Sequence, residues 1–66
     1  MTLKIAQIND TIAFTFMEQL VEGTVLKIYQ NSVLVEIKPI FYEMYKGELL
    51  NERTVVNHRR YKCLSN

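Results

Sequence analysis

The chain has 66 residues, of which 48% are hydrophobic and 23% charged, with two glycines and one proline. This length allows one small core, and this composition excludes an intrinsically disordered chain. The formal net charge of +1 indicates no general preference for nucleic acid or for acidic partners. We therefore predict a single globular domain over residues 1–66.

The sequence offers neither a disulfide nor a structural metal site to stabilise this small fold. Cys63 is the only cysteine and His58 the only histidine, so the sequence excludes an internal disulfide and falls short of a structural zinc site. We expect no metal and no cofactor. Residues 1–10 contain one lysine and spaced aliphatic residues, which is not the pattern of a signal peptide or a membrane span. A single unpaired cysteine is compatible with the reducing interior of a cell. We therefore expect a cytoplasmic protein with no membrane partner.

The first strand is predicted over Thr11–Phe16, which is dense in β-formers and follows the turn-forming pair Asn9-Asp10. Residues 1–8 are predicted to be either flexible or paired with a sheet edge. The connection to the next strand, Met17-Glu18-Gln19, contains no glycine.

A β-hairpin is predicted between Leu20 and Ile37, around the polar triplet at residues 30–32. In its second arm, alternation places Val33, Val35 and Ile37 on a buried face, with Leu34 as an exception. In its first arm, the apolar positions change parity to Leu26 and Ile28, which predicts a bulge near Leu26 or Lys27. Gly23 indicates either a tight approach within the sheet or a site where an RNA backbone approaches.

The second half of the chain is predicted to hold two shorter strands after a long loop. Pro39 ends the third strand, and residues 40–51 are expected to form an irregular loop, because Gly47 interrupts the helical spacing of Phe41, Met44 and Tyr45. The fourth strand is predicted over 53–57, with Val55 or Val56 facing inward. A turn at 57–60 and a closing strand at 61–64 follow, which completes an all-β, five-stranded, partly open barrel.

The sequence resembles a family of short, uncharacterised bacterial proteins of the YkvS type, which look like KOW-containing SH3-like barrels. The resemblance rests on three segments: Asn9 to Phe14, Gly23 to Val35, and Glu52 to Lys62. It implies a small five-stranded SH3-like barrel. Asn9 stands where the family's motif usually has glycine, and asparagine also tolerates the left-handed backbone conformation.

The first functional hypothesis rests mainly on the resemblance to KOW barrels, which often occur in transcription and translation factors, and also on the charge distribution. All seven acidic residues lie within residues 1–52, whereas the basic residues of 53–66 have no acid among them. Cations interleaved with an aromatic ring are suited to phosphates and unstacked bases, so we expect a non-catalytic module that binds RNA or a ribonucleoprotein. The alternative is a solvated basic turn, with Arg53 paired to Glu52 or Glu48. The candidate contact residues are Arg53, His58, Arg59, Arg60, Tyr61 and Lys62.

The second functional hypothesis is a protein-binding adaptor that uses the aromatic segment 41–50, with Tyr42 and Tyr45 as contact residues. The alternative is that these side chains cap an open end of the barrel, which we expect for Phe41 and Met44. An open barrel edge is compatible with either a monomer or a weak homodimer.

Catalysis is not expected. His58 and Cys63 are the candidate base and nucleophile, but the sequence offers them no orienting acid and no oxyanion site. A histidine in a turn more often hydrogen-bonds the backbone, and a cysteine in a short strand is usually a small core residue.

Overall fold

The computed structural model describes residues 5–16, 18–45, 47 and 51–64. The predicted positions at 1–4, Met17, Lys46, 48–50 and 65–66 lie outside this range. The described elements are β1 Thr11–Phe16, β2 Gln19–Ile28, β3 Ser32–Ile37, α1 Pro39–Tyr45, β4 Arg53–Asn57 and β5 Tyr61–Cys63.

The strands form one antiparallel sheet in the order β4-β3-β2-β1-β5. The first four strands pair in chain order, β1 with β2, β2 with β3 and β3 with β4, and after β4 the chain returns to β1. There β5 pairs Ile12 with Cys63 and Phe14 with Tyr61. The all-β class and the five strands are confirmed.

One face of the sheet carries the core. The alternation predicted for β3 is confirmed, because Val33, Val35 and Ile37 are buried while Leu34 is half-buried. Val56, and not Val55, is the inward residue of β4. The buried apolar cluster comprises Ala6, Ile12, Phe14, Val21, Val25, Val33, Val35, Ile37 and Val56.

The turn before β1 depends on a left-handed residue. The Asp10 N–H donates to the Gln7 carbonyl at 2.9 Å, and between them Asn9 has a φ of 77°. A positive φ at the third turn position is the feature of a type II turn, which favours glycine or asparagine there. The Asp10 carboxylate also accepts the Gln7 N–H at 2.8 Å. Asn9 therefore provides the left-handed backbone conformation that this turn requires.

The predicted bulge is present in β2. Val25 pairs with Val35 and Lys27 with Leu34, so Leu26 is the extra residue between them. Ile28, expected among the apolar positions, pairs with Val33 but is 43% exposed. It lies at the strand end, where less of the core reaches it.

Gly23 occupies a position with no room for a side chain. A Cβ atom there would lie 2.3 Å from Cγ1 of Val35 and 2.9 Å from the Glu36 carbonyl oxygen. Both distances are shorter than van der Waals contact. Close approach within the sheet thus accounts for this glycine, and the buried position faces the core instead of an RNA backbone.

The segment after β3 is a short helix over Pro39–Tyr45, so the predicted irregular loop is wrong for residues 40–45. The N–H groups of Phe41 and Tyr42 both donate to the Lys38 carbonyl at 3.0 Å, which begins α1. Pro39 occupies the first helical position, where a missing N–H costs no hydrogen bond and the fixed φ suits the helix. Within the described residues, no helix is long and apolar enough to cross a membrane.

Candidate functional site

A hydrogen-bonded network centred on His58 shapes the turn between β4 and β5. His58 is buried, with 5% of its surface exposed. Its Nδ1 lies 2.8 Å from the Tyr61 hydroxyl, and its Nε2 lies 2.9 Å from the Tyr29 carbonyl oxygen. The Tyr61 hydroxyl also accepts the Ala6 N–H at 3.0 Å. The network joins the N-terminal segment, the β2–β3 hairpin and the C-terminal turn.

The partners of His58 specify one tautomer. A carbonyl oxygen only accepts, so Nε2 must carry the proton that points at Tyr29. Nδ1 then accepts from the Tyr61 hydroxyl, whose oxygen remains free to accept from Ala6. This Nε2–H arrangement satisfies every polar atom of the network, and no buried side-chain nitrogen or oxygen of the described residues is left without a partner.

This network removes His58 from the predicted contact residues. A ring that is 5% exposed and bonded at both nitrogens cannot reach a phosphate or a base. Tyr61 is half-buried, its hydroxyl is used internally, and its ring meets His58 edge to face at 5.8 Å between centroids. Both residues position the turn instead of presenting a free stacking platform.

Three cations of the predicted strip remain on the surface near each other in the chain: Arg59 and Arg60 in the turn, and Lys62 in β5. We call these three residues the basic surface. All three are exposed. Among the residues that the structure describes, no carboxylate lies within ion-pair distance of any of them.

The local backbone fixes this turn. The Arg60 N–H donates to the Asn57 carbonyl at 2.8 Å, and the Arg59 N–H donates to the Asn57 side chain at 2.9 Å. The His58 N–H donates to the Asn31 carbonyl at 3.0 Å, which attaches the turn to the hairpin tip. The two arginines are therefore carried by a backbone with few degrees of freedom.

Lys62 faces the outer side of the sheet, where Ala13 is its partner in β1 and Glu22 is the partner of Ala13 in β2. Glu22 lies two strand spacings from Lys62, about 10 Å. Its carboxylate instead contacts Nζ of Lys38 at 3.3 Å. Glu22, the nearest acidic residue along this row, is therefore ion-paired with Lys38 and not with Lys62.

Arg53 is separated from the basic surface. It begins β4, whereas Arg59 and Arg60 follow the end of that strand, and four residue steps span about 13 Å. Its Nε lies 3.6 Å from a carboxylate oxygen of Glu36 on β3, which is a cross-strand pair. Of the two partners that the alternative interpretation named, Glu52 forms no ion pair with Arg53, and Glu48 lies outside the described residues. Arg53 therefore does not belong to the basic surface.

The aromatic residues of α1 face the sheet. Phe41, Tyr42 and Tyr45 are half-buried and pack against the core, and the Tyr45 ring meets Phe16 edge to face at 6.0 Å. Met44, expected in the cap, is 62% exposed and Ile40 is 67% exposed. Phe41 therefore packs against the core as expected, whereas Met44 does not, because the helix places residues 40 and 44 away from the face that meets the core.

The candidate catalytic pair is not assembled. Both ring nitrogens of His58 bind groups other than Cys63, and Cys63 is a free, half-buried thiol packed beside the core. Over the described ranges, no group of three or more histidine, cysteine or acidic side chains is arranged to hold a metal ion.

Comparison with known proteins identifies relatives of unknown activity. Residues 4–64 match a family model described as an uncharacterised protein conserved in bacteria, DUF2187. The chain is 34% identical over 62 residues to the uncharacterised protein YkvS of Bacillus subtilis strain 168, an alignment that covers 94% of this chain and 93% of that protein. No solved structure matches.

Proposed function

We propose that this chain, which belongs to the DUF2187 family of uncharacterised bacterial proteins, is a non-catalytic module that binds single-stranded RNA weakly through its basic surface. The observation that carries this proposal is that Arg59, Arg60 and Lys62 are exposed and have no ion-pair partner among the described residues. Unpaired cations lose little on meeting a phosphate, because no internal bond must break first.

The His58 network supports this proposal by ordering the cations beforehand. A turn whose backbone is held by Asn57 and Asn31 loses less conformational freedom on binding than a mobile loop would. Residues at the hairpin tip extend the surface with amide side chains, since Gln30, Asn31 and Asn57 line the same depression of about 250 Å³ as Arg59. Amides donate to phosphate and sugar oxygens.

The proposed architecture behind this surface is an SH3-like, KOW-like barrel in the cytoplasm. Two observations support the barrel: β5 returns beside β1, and a cavity is lined jointly by residues of β1 and β4, the strand at the far edge of the sheet. Nuclear Overhauser contacts between the Phe16 ring and the Thr54 and Val56 methyl groups are expected if the sheet curls in this way. Their absence would indicate an open sheet.

The binding proposal is tested by titrating labelled single-stranded RNA into the protein. The expected affinity is weak and dependent on salt. If all three cations contact phosphates, the logarithm of the affinity falls with the logarithm of salt with a slope of about −2, or about 20-fold between 50 and 200 mM salt.

The matched variants carry equal changes of net charge. Changing Arg59, Arg60 and Lys62 to glutamine takes the formal charge from +1 to −2, and so does changing Lys27, Lys38 and Arg53 to glutamine. We expect the first variant to lose at least about tenfold in affinity and the second to retain most of it. Equal losses would show only a general charge effect, and no binding at low salt would exclude the proposal.

A second candidate function is an adaptor that binds protein through α1. Ile40 and Met44 are one helical turn apart and both more than half exposed. Tyr42 and Tyr45 pack inward, so this candidate now depends on the two aliphatic side chains. A partner that is captured after nuclease treatment and lost with Ile40→Ser and Met44→Ser would favour it over RNA binding.

A further inference from the structure

The strand β4 has one edge that pairs with β3 and one edge without a strand partner among the described residues. The Ile37 N–H donates to the Glu52 carbonyl at 2.7 Å, and the His58 N–H donates to the Asn31 carbonyl at 3.0 Å. Because hydrogen-bonded pairs alternate in antiparallel sheets, residues 54 and 56 also direct their backbone groups at β3. The N–H and C=O groups of Arg53 and Val55 therefore point away from the sheet.

A groove runs beside this edge. Its volume is about 300 Å³, and it is lined by Phe14, Phe16, Thr54, Val56, Asn57 and Arg60, together with Thr15 and Val55. The aromatic residues come from the end of β1, which β5 covers only from Ile12 to Phe14. The groove is thus a seam with an apolar floor, between the far end of β1 and the unpaired edge of β4.

The charge at the seam is positive. Arg60 lines the groove at the end where β4 leads into the turn, and no carboxylate of the described chain pairs with it. A carboxylate from outside would supply the missing charge and form the two parallel hydrogen bonds that a guanidinium favours.

The geometry points to an extended peptide strand, carrying an acidic residue two positions before an apolar residue, as the ligand of this seam. An added strand would bond to the outward backbone groups of β4, which is β-augmentation. Antiparallel pairing puts the start of the peptide beside the end of β4, so its acidic residue meets Arg60. The apolar residue two positions later projects to the same side and enters the groove.

This inference is independent of RNA binding, although Arg60 belongs to both surfaces. Peptide binding at the seam requires the outward backbone groups of β4, whereas RNA binding at the basic surface does not. Variants of Val55 therefore distinguish the two activities, because they alter the edge and leave Arg59, Arg60 and Lys62 unchanged.

The probe is the capped peptide Thr-Asp-Thr-Leu-Thr-Val-Thr. It is titrated to millimolar concentration, and its binding is monitored through the chemical shifts of the isotope-labelled protein. We expect shifts at the Val55 and Asn57 amides and slower hydrogen exchange at Val55 when the peptide is bound. Shifts confined to other elements, or no shifts at millimolar peptide, would overturn the proposal.

The first variant test uses charge reversal at Arg60, an exposed residue. Arg60→Glu is expected to weaken binding of the peptide at least about tenfold and to bind the analogue in which lysine replaces aspartate. Arg59→Glu is the matched control, since Arg59 lines the depression at the hairpin tip and not the seam. Equal effects of the two variants would overturn the assignment of Arg60.

The second variant test concerns the edge backbone. Val55→Pro removes an N–H that points away from β3, so it costs no bond of the sheet. We expect it to reduce peptide binding at least about tenfold while RNA binding is unchanged, and Val55→Ala, which keeps the N–H, to bind normally. Normal peptide binding by a folded Val55→Pro variant would overturn strand addition. If the Val55→Pro variant is unfolded, two other measurements decide the question. They are the charge reversal at Arg60 and the hydrogen exchange of the Val55 amide in the unsubstituted protein.

Discussion

The Tyr61 hydroxyl lies 2.8 Å from Nδ1 of His58 and 3.0 Å from the Ala6 nitrogen, and it serves both as donor and acceptor. Through this one phenol, a residue at the start of the described chain is linked to the turn that carries the basic surface. His58 therefore attaches the turn to the buried part of the protein, although Arg59 and Arg60 of the same turn are exposed.

Removing that hydroxyl should destabilise the protein. Tyr61→Phe leaves the Ala6 N–H and Nδ1 of His58 without a partner in a largely buried site, and we expect the free energy of unfolding to fall by about 2 kcal/mol. Urea denaturation measures the change. Tyr29→Phe is the control, because the Tyr29 side chain is 44% exposed and only its backbone carbonyl belongs to the network. Equal losses in the two variants would contradict the network's role.

Gly23→Ala should destabilise the sheet more strongly. The added methyl would overlap Val35 and the Glu36 carbonyl, which forces the two strands apart. Overpacking of this kind costs about 3 kcal/mol. Gly47→Ala is the matched control, because a Cβ there meets nothing within 4 Å. A Gly23→Ala protein with the original melting temperature would show that the strands accommodate the methyl.

Replacing Glu18 by glycine should stabilise the β1–β2 turn. Glu18 has a φ of 65°, a left-handed conformation that costs a residue with a Cβ about 1–2 kcal/mol. The greater freedom of glycine in the unfolded chain offsets part of this gain, so we expect a net increase of about 1 kcal/mol. Asn9→Gly should change stability less, because asparagine tolerates its φ of 77°. Thermal unfolding of both variants provides the comparison.

Truncation of two adjacent residues of β4 should lower the free energy of unfolding by very different amounts. Val56 is 7% exposed and Val55 is 58% exposed. Val56→Ala is expected to cost about 2 kcal/mol through lost burial and an incompletely filled cavity, and Val55→Ala less than about 0.5 kcal/mol. Denaturation of the two variants tests the inward assignment of Val56, which reversed values would contradict.

Local sequence patterns were sufficient to predict most of the sheet. The bounds of β1 and β4, the alternation in β3 and the bulge at Leu26 follow from β propensity and period-two spacing, which act over a few residues. The sequence pattern does not predict the helix α1, because Gly47 interrupts the helical spacing and Pro39 also fits the end of a strand. Proline is also over-represented at the first position of helices, and the spacing of Phe41 and Tyr45 fits a helix.

The candidate site was less predictable because its contacts are distant in the chain. Tyr29 lies 29 residues before His58, and Ala6 lies 55 residues before Tyr61. No local pattern shows that a histidine in a polar turn is buried by such partners. For the same reason, the composition of residues 53–62 did not reveal that Arg53 belongs to a different part of the surface and is paired with Glu36.

The pairing of Ile12 with Cys63 also bears on the rate of folding. These residues are 63 − 12 = 51 positions apart, whereas the β2–β3 hairpin closes over a few residues. Closing the longer loop costs about 2 kcal/mol more in chain entropy, at about 0.6 kcal/mol for each doubling of length. Docking of β5 should therefore be a late event in folding, and the turn that carries Arg59 and Arg60 should be fully ordered only after β5 has paired with β1.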